Sequence, residues 1–144
     1  AGARLAIAAS GDAAVNAAVR EEGRRAGVWV NGADDAEEGD FLVPSVVRRG
    51  RMVMAVTTGG AAPLLARRIA AAWKETYGEE YAAYADMLAR LRRRVLASGA
   101  AAEVKRECLA DLLAEDIPRR LRGGEPIEAL EAELGRRLDS RIGL

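Results

Sequence analysis

Two short apolar runs enclose one helical segment at the start of this chain, and that order constrains its fold more than any other feature. "RLAIAA", Arg4 to Ala9, is apolar after its first residue and stops at "SGD", while "GVWV", Gly27 to Val30, is bounded by glycine and by "NGADD". Between them, Asp12 or Ser10 is placed to cap a helix running to about Arg25, with Val15 and Val19 on its apolar stripe. Strand, crossover helix and strand imply parallel pairing. Strands that are apolar throughout are those buried on both faces of such a sheet. The expected class is α/β.

After the acidic loop "NGADDAEEGD" the pattern changes. "FLVPSVV" and "RMVMAVTT" are β-rich and separated by "RRGR", where Gly50 is available for the positive φ of a hairpin turn. Pro44 has no N–H to give a ladder, so its strand belongs at an edge, a bulge or a crossing between bodies. Phe41 to Thr58 is therefore a candidate arm or interface, and Met52 and Met54, alternating with valines, read as core or interface packing. From Ala62 onward the pattern is helical, with Pro63 in a first turn. Leu65, Ile69 and Trp73 make one face at helical spacing, Tyr84, Leu88, Leu91 and Val95 a second, Val104, Cys108 and Leu112 a third, and Ile127, Leu130, Leu134 and Leu138 a fourth.

Composition works by exclusion. The 144 residues make one domain or two small halves, and 22 Lys plus Arg balance 22 Asp plus Glu, so no net field points to nucleic acid or to a membrane surface. The arginine runs Arg92 to Arg94 and Arg119 to Arg122 have acidic neighbours and few aromatics, and read as solvated helix faces. No apolar run approaches the roughly 20 residues that span a bilayer, and the expected location is cytoplasmic. Cys108 stands alone among helix formers, as a buried small residue in a reducing compartment. Histidine is absent, which removes the usual neutral metal ligand, and no metal site is expected. Acid–base chemistry falls to carboxylates, hydroxyls or lysine.

"VTTGGAAPLLARRIAAAW", Val56 to Trp73, passes from a strand through two glycines into a helix. Such a turn exposes N–H groups at the positive end of a helix and favours an anion. A simple connector packed at an interface would use the same residues.

Together with "LAIAASGDAAVNAAV" and "VNGADD" before it, "FLVPSVVRRGRMVMAVTTGGAAPLLARRI" resembles the precorrin-2 dehydrogenase family, the siroheme-synthase module that includes the dehydrogenase-ferrochelatases. The resemblance implies the C-terminal part of a Rossmann-like NAD-binding domain at residues 1–40, a β-hairpin and helix dimerisation segment at 41–80, and an α-helical C-terminal domain at 81–144. It implies homodimers with interdigitated central regions that oxidise precorrin-2 to sirohydrochlorin with NAD. In some members ferrous iron insertion follows. The family's catalytic aspartate falls on Asp34, and a hydroxyl residue near the tetrapyrrole falls on Thr58.

The residue chemistry is compatible with those roles. A carboxylate at Asp34 can take the proton released when a hydride leaves; a turn-forming aspartate beside Asp35 is the plainer reading. The substrate's many carboxylates call for N–H donors at Gly59 and Gly60 and for charge from Arg48, Arg49, Arg51 and Arg67. Ser10 and Asn16, at the carboxyl end of a strand, are candidates for the cofactor rim, although capping explains Ser10 equally well. No G-x-G-x-x-G occurs in the sequence, which opens without methionine directly into a strand, so a fragment lacking the glycine-rich half of such a domain is expected. The second reading is a non-catalytic tetrapyrrole-binding or dimerisation module that has lost the cofactor site.

Overall fold

In the computed structural model, which describes residues 2–33 and 37–143, the first run becomes β1 (Leu5–Ala8), the capped segment α1 (Ala13–Ala26) and the second run β2 (Trp29–Gly32). The two strands pair in parallel, Leu5 opposite Trp29 and Ala8 opposite Gly32. Asp12 starts α1 by accepting a hydrogen bond from the Ala14 N–H at 2.8 Å, and Gly27 ends it at φ 66°, a conformation a side chain disfavours. Helix and sheet approach closely at Gly23, where an added Cβ would run into Val30 Cγ2.

That close approach changes which face of α1 is buried. Of the expected stripe, Val15 is 48% exposed and Val19 half-buried, and the buried positions are Asn16, Arg20 and Gly23. At Gly23 itself there is no room for a side chain. The strands also differ from expectation. Ala8 and Val30 are buried, whereas Leu5, Ile7 and Trp29 are each about 60% exposed, because among the described residues this sheet has two strands and α1 covers one face.

The chain divides into two compact units, residues 1–47 with 54–73 and residues 48–53 with 74–144. It crosses between them within a hairpin, β3 (Ser45–Arg49) and β4 (Met52–Val56), and again after Trp73. Gly50 has φ 55° and Arg51 a negative φ, the sign pattern of a type II′ turn. Pro44 stands just before β3, where its missing N–H costs no ladder bond. Val46 and Val53 face outward while Met52 and Met54 are half-buried.

Helix α2 (Pro63–Thr76) begins at the proline, as expected. Its buried positions are Ala66 and Ala70, with Ile69 and Trp73 half-buried and Leu65 51% exposed. The buried line is one residue later than the line drawn from the large residues. An alanine-rich helix is apolar in several registers, and bulk alone chose the wrong one.

The second unit is built on α3 (Glu80–Ala97), α4 (Ala102–Asp111), α5 (Ile117–Arg122) and α6 (Ile127–Ile142). One apolar cluster fills it. Tyr84, Met87, Leu91 and Val95 come from α3, Cys108 from α4, Ile117 from α5, and Leu130, Leu134, Leu138 and Ile142 from α6. The buried setting of Cys108 agrees with its sequence context.

Ion pairs clad this core. The Arg90 guanidinium grips both oxygens of Glu131 at 2.8 and 2.5 Å. Arg120 reaches Glu115 at 3.0 Å, Glu125 at 2.6 Å and Glu133 at 2.7 Å. Arg94 pairs with Asp139, Arg137 with Glu115, and Arg141 with Asp111. Hydrogen bonding to Arg120 holds the Glu125 and Glu133 carboxyls below the usual 4.5, and hydrogen bonding to Arg90 does the same for Glu131.

A carboxyl whose value is lowered by folding stabilises the fold in full above its unfolded value, and that contribution is lost as pH falls through the folded one. Thermal melting followed by circular dichroism should therefore change little from about pH 7 to about pH 5 and decline below about 4.5. A Glu131→Gln, Glu133→Gln double variant should decline less steeply over that acid range. The same acid profile in variant and parent would remove these pairs as the cause.

Candidate functional site

The turn from β4 into α2 explains its own glycines. Thr58 Oγ1 accepts a hydrogen bond from the Ala62 N–H at 2.9 Å, at the entry to α2, and Thr57 Oγ1 accepts one from the Gly59 N–H at 3.2 Å. Between these hydroxyl ties the backbone passes through two consecutive left-handed residues, Gly59 at φ 65° and Gly60 at φ 87°. Side chains rarely tolerate one such conformation and still less two in succession.

This turn forms one wall of a cleft of about 350 Å³ in the first unit. Val56, Thr57, Thr58, Gly60, Pro63, Ala66 and Arg67 make that wall, Leu42 to Ser45 stand as another, and Asn31, Gly32 and Ala33 close it at the carboxyl end of β2. Arg67 is the charged group among these described lining residues, and no carboxylate accompanies it. With the positive end of α2 beside it, the cleft is electrostatically suited to an anion.

The wall at Leu42 to Ser45 is delivered by a short return of the chain along β2. The Val30 N–H donates to Asp40 Oδ2 at 2.8 Å, and the Asp40 N–H donates to the Val30 carbonyl at 2.8 Å. The Asn31 side-chain amide donates to the Phe41 carbonyl at 2.8 Å. Nearby, the buried Arg20 lies 3.9 Å from the Glu38 carboxylate.

The structure brings Thr58, Gly60 and Arg67 to one cleft, with Gly59 inside the same turn. Arg48 does not line it; it is exposed on β3 and belongs to the second unit. Arg49 caps carbonyls instead, donating to Tyr77 at 2.8 Å and Lys74 at 3.1 Å, and Arg51 pairs with Asp86 at 2.6 Å. Ser10 and Asn16 bind each other. The Ser10 N–H and hydroxyl donate to Asn16 Oδ1 at 2.9 and 2.7 Å, and Asn16 Nδ2 donates to the Ser10 carbonyl at 3.2 Å. Asp34 lies outside the described residues. Its neighbour Ala33 lines the cleft and donates its N–H to the Ala8 carbonyl at 2.9 Å.

Asn31, Ser45 and Asp40 were not singled out from the sequence. Asn31 carried a usable signal, a polar residue closing an apolar strand, whereas Asp40 looked like one more charge in an acidic loop. Among the described residues no group of three acidic or cysteine side chains is arranged to hold a metal. For a dinucleotide the fit is to a rim. With Asn16 buried and its amide engaged, the Ser10–Asn16 pair shapes the loop after β1, and the sequence holds no G-x-G-x-x-G loop to grip a diphosphate.

Comparison with known proteins agrees with this architecture. The NAD_binding_7 family, of NAD(P)-binding domains, matches residues 1–45. The siroheme synthase of Methylococcus capsulatus is 42% identical over 94 residues, covering 65% of this chain and 20% of that protein. That of Nitrosococcus oceani is 34% identical over 133 residues, covering 90% of this chain and 28% of that protein. Among solved structures, SirC, precorrin-2 dehydrogenase, superposes with a TM-score of 0.72 at 26% identity, over 95% of this chain and 64% of that one. The chain thus spans between 20% and 28% of the length of these two curated relatives. It is a homologue of the siroheme synthases and shares the fold of SirC, precorrin-2 dehydrogenase, over the part that it spans.

Proposed function

We propose that this chain supplies the tetrapyrrole cleft of an oxidoreductase of siroheme biosynthesis, which converts precorrin-2 to sirohydrochlorin with NAD. The observation that carries this reading is the cleft at the β4–α2 turn, where Arg67 and the start of α2 stand without a carboxylate among the described lining residues. A substrate fringed with carboxylates needs such a wall. Arg67 pairs with one carboxylate, and the N–H of Gly60, the cleft-lining glycine of the turn, receives another, while the Gly59 N–H stays on Thr57. The Thr58 oxygen accepts from Ala62, which leaves the hydroxyl hydrogen to donate to substrate. NAD, when bound, accepts the hydride; Asp34, one residue beyond the fixed and cleft-lining Ala33, takes the proton. Ser10 and Asn16 keep the loop after β1 in the shape that borders the cofactor.

The protein acts as a homodimer in this reading, joined through the outward residues of the hairpin and α2. Val46, Val53 and Leu64 are 39, 47 and 77% exposed, more apolar surface than a solvated hairpin and helix need. No helix among the described residues is long and apolar enough to cross a membrane.

Anaerobic incubation of the full-length protein with precorrin-2 and NAD should yield NADH and sirohydrochlorin together. Tetrapyrrole binding without NADH would move the assignment to a non-catalytic binding module. Asp34→Asn should lower kcat by about 10²-fold while melting is unchanged, and near-normal turnover would remove its role. Arg67→Ala should weaken tetrapyrrole binding by about tenfold, the scale of one charged hydrogen bond, with a smaller effect on NAD; equal losses would point to general damage. Val53→Asp should shift sedimentation toward monomer, and an unchanged profile would exclude the hairpin as the interface.

A further inference from the structure

The wall at Leu42 to Ser45 enters a strand, β3, only at its last residue. It follows directly on a three-residue return along the edge of β2 away from β1, and the grip there is made by two residues of opposite character. Asp40 completes a two-bond ring with Val30, its carboxylate standing where a neighbouring strand would place a carbonyl. Gly39 provides the closeness. A Cβ at that position would sit 3.2 Å from the Gly32 nitrogen and 3.3 Å from the Val30 carbonyl oxygen, so any side chain forces the return off β2 by a few tenths of an ångström. Gly39 has no positive φ, which makes space and not backbone conformation the reason for glycine here. The next residue, Phe41, then receives the Asn31 amide and fixes a cleft-lining side chain in one orientation.

We infer that Gly39 and Asp40 are positioning residues for the tetrapyrrole cleft: they clamp the return to β2 and thereby set the wall at Leu42 to Ser45 and the orientation of Asn31. Neither lines the cleft, so both act through the residues that do. The inference rests on the proposed function for the identity of the ligand, though the clamp can be read without it. What matters at Asp40 is an acceptor for the Val30 N–H, and an amide oxygen supplies one as well as a carboxylate does.

The test is titration of the full-length protein with sirohydrochlorin, together with hydrogen exchange at the Val30 amide. Asp40→Ala should weaken binding by about three- to tenfold and speed exchange at Val30, as expected for one lost hydrogen bond on a partly solvated tie. Asp40→Asn should bind within about twofold of the parent and keep Val30 protected. Gly39→Ala, which leaves Asp40 in place, should weaken binding by about threefold or more and carries the test should Asp40→Ala fold poorly. Binding within twofold of the parent in both alanine variants would overturn the inference, as would an Asp40→Asn variant as weak as Asp40→Ala. A parent that binds no sirohydrochlorin would instead overturn the proposed function; unchanged Val30 exchange in Asp40→Ala would overturn the clamp by itself.

Discussion

Strand β2 has two edges whose backbone groups need partners, and the way they are met organises the first unit. One edge is taken by β1, with Trp29 N–H on the Arg4 carbonyl and Ala33 N–H on that of Ala8. The other edge has no strand against it among the described residues. Leaving Val30, 1% exposed, with an unmet N–H and carbonyl would cost on the order of 1–3 kcal/mol for each group. Asp40 meets both, one with its side chain and one with its backbone. A loop that could have wandered is thereby brought back to the carboxyl end of the sheet, where ligands of parallel sheets gather. The cleft follows from that return, because only Leu42 to Pro44 separate it from β3.

The helical unit is stabilised on a different principle. Its interior is apolar and made from four helices at regular spacing, and burial of that surface is the dominant driving term. Arginines on the outside are matched across helices: Arg90 on α3 to Glu131 on α6, Arg94 on α3 to Asp139 on α6, Arg141 on α6 to Asp111 on α4. Each exposed pair is worth little alone. Their effect is on surface character, since Arg94, Arg120 and Arg122, from runs that look basic in one dimension, are charge-paired in three.

Features written in short-range chemistry were legible in the sequence. The Asp12 cap, Gly50 in the hairpin turn, Pro63 at the head of α2 and the burial of Cys108 follow from neighbours a few residues away, and the parallel pairing of the two apolar runs follows from the helix that joins them. What depends on distant partners was not. Val15 and Leu65 were placed inward because apolar bulk was counted, whereas Gly23 and Ala66 sit at the buried positions. Ser10 and Asn16 looked like two groups turned toward a ligand, and their six-residue separation brings them into contact with each other. Arg48, Arg49 and Arg51 were grouped with Arg67 by charge, although only Arg67 lies at the cleft. Asp40 was invisible because its partner is ten residues away and its own surroundings are all acidic.

The β4–α2 turn shows how a single stretch can satisfy folding and binding at once. Thr58 spends an oxygen lone pair on the Ala62 N–H and still has a hydrogen to give. The Gly59 N–H is held by the Thr57 hydroxyl, and the left-handed φ values of the two glycines turn the backbone toward the start of a 14-residue helix. Arg67 comes one turn further along, on the side of α2 that meets the cleft. A helix end contributes roughly 0.3–1 kcal/mol toward an anion and an arginine contact roughly 1.5–3, so in the proposed function Arg67 weighs more than the helix end in reading the ligand's charge. A valine at position 58 would remove both the helix tie and the spare donor, whereas a serine would keep both. The hydroxyl, not the methyl, is therefore the part of Thr58 that the turn uses, and the part that the proposed function needs.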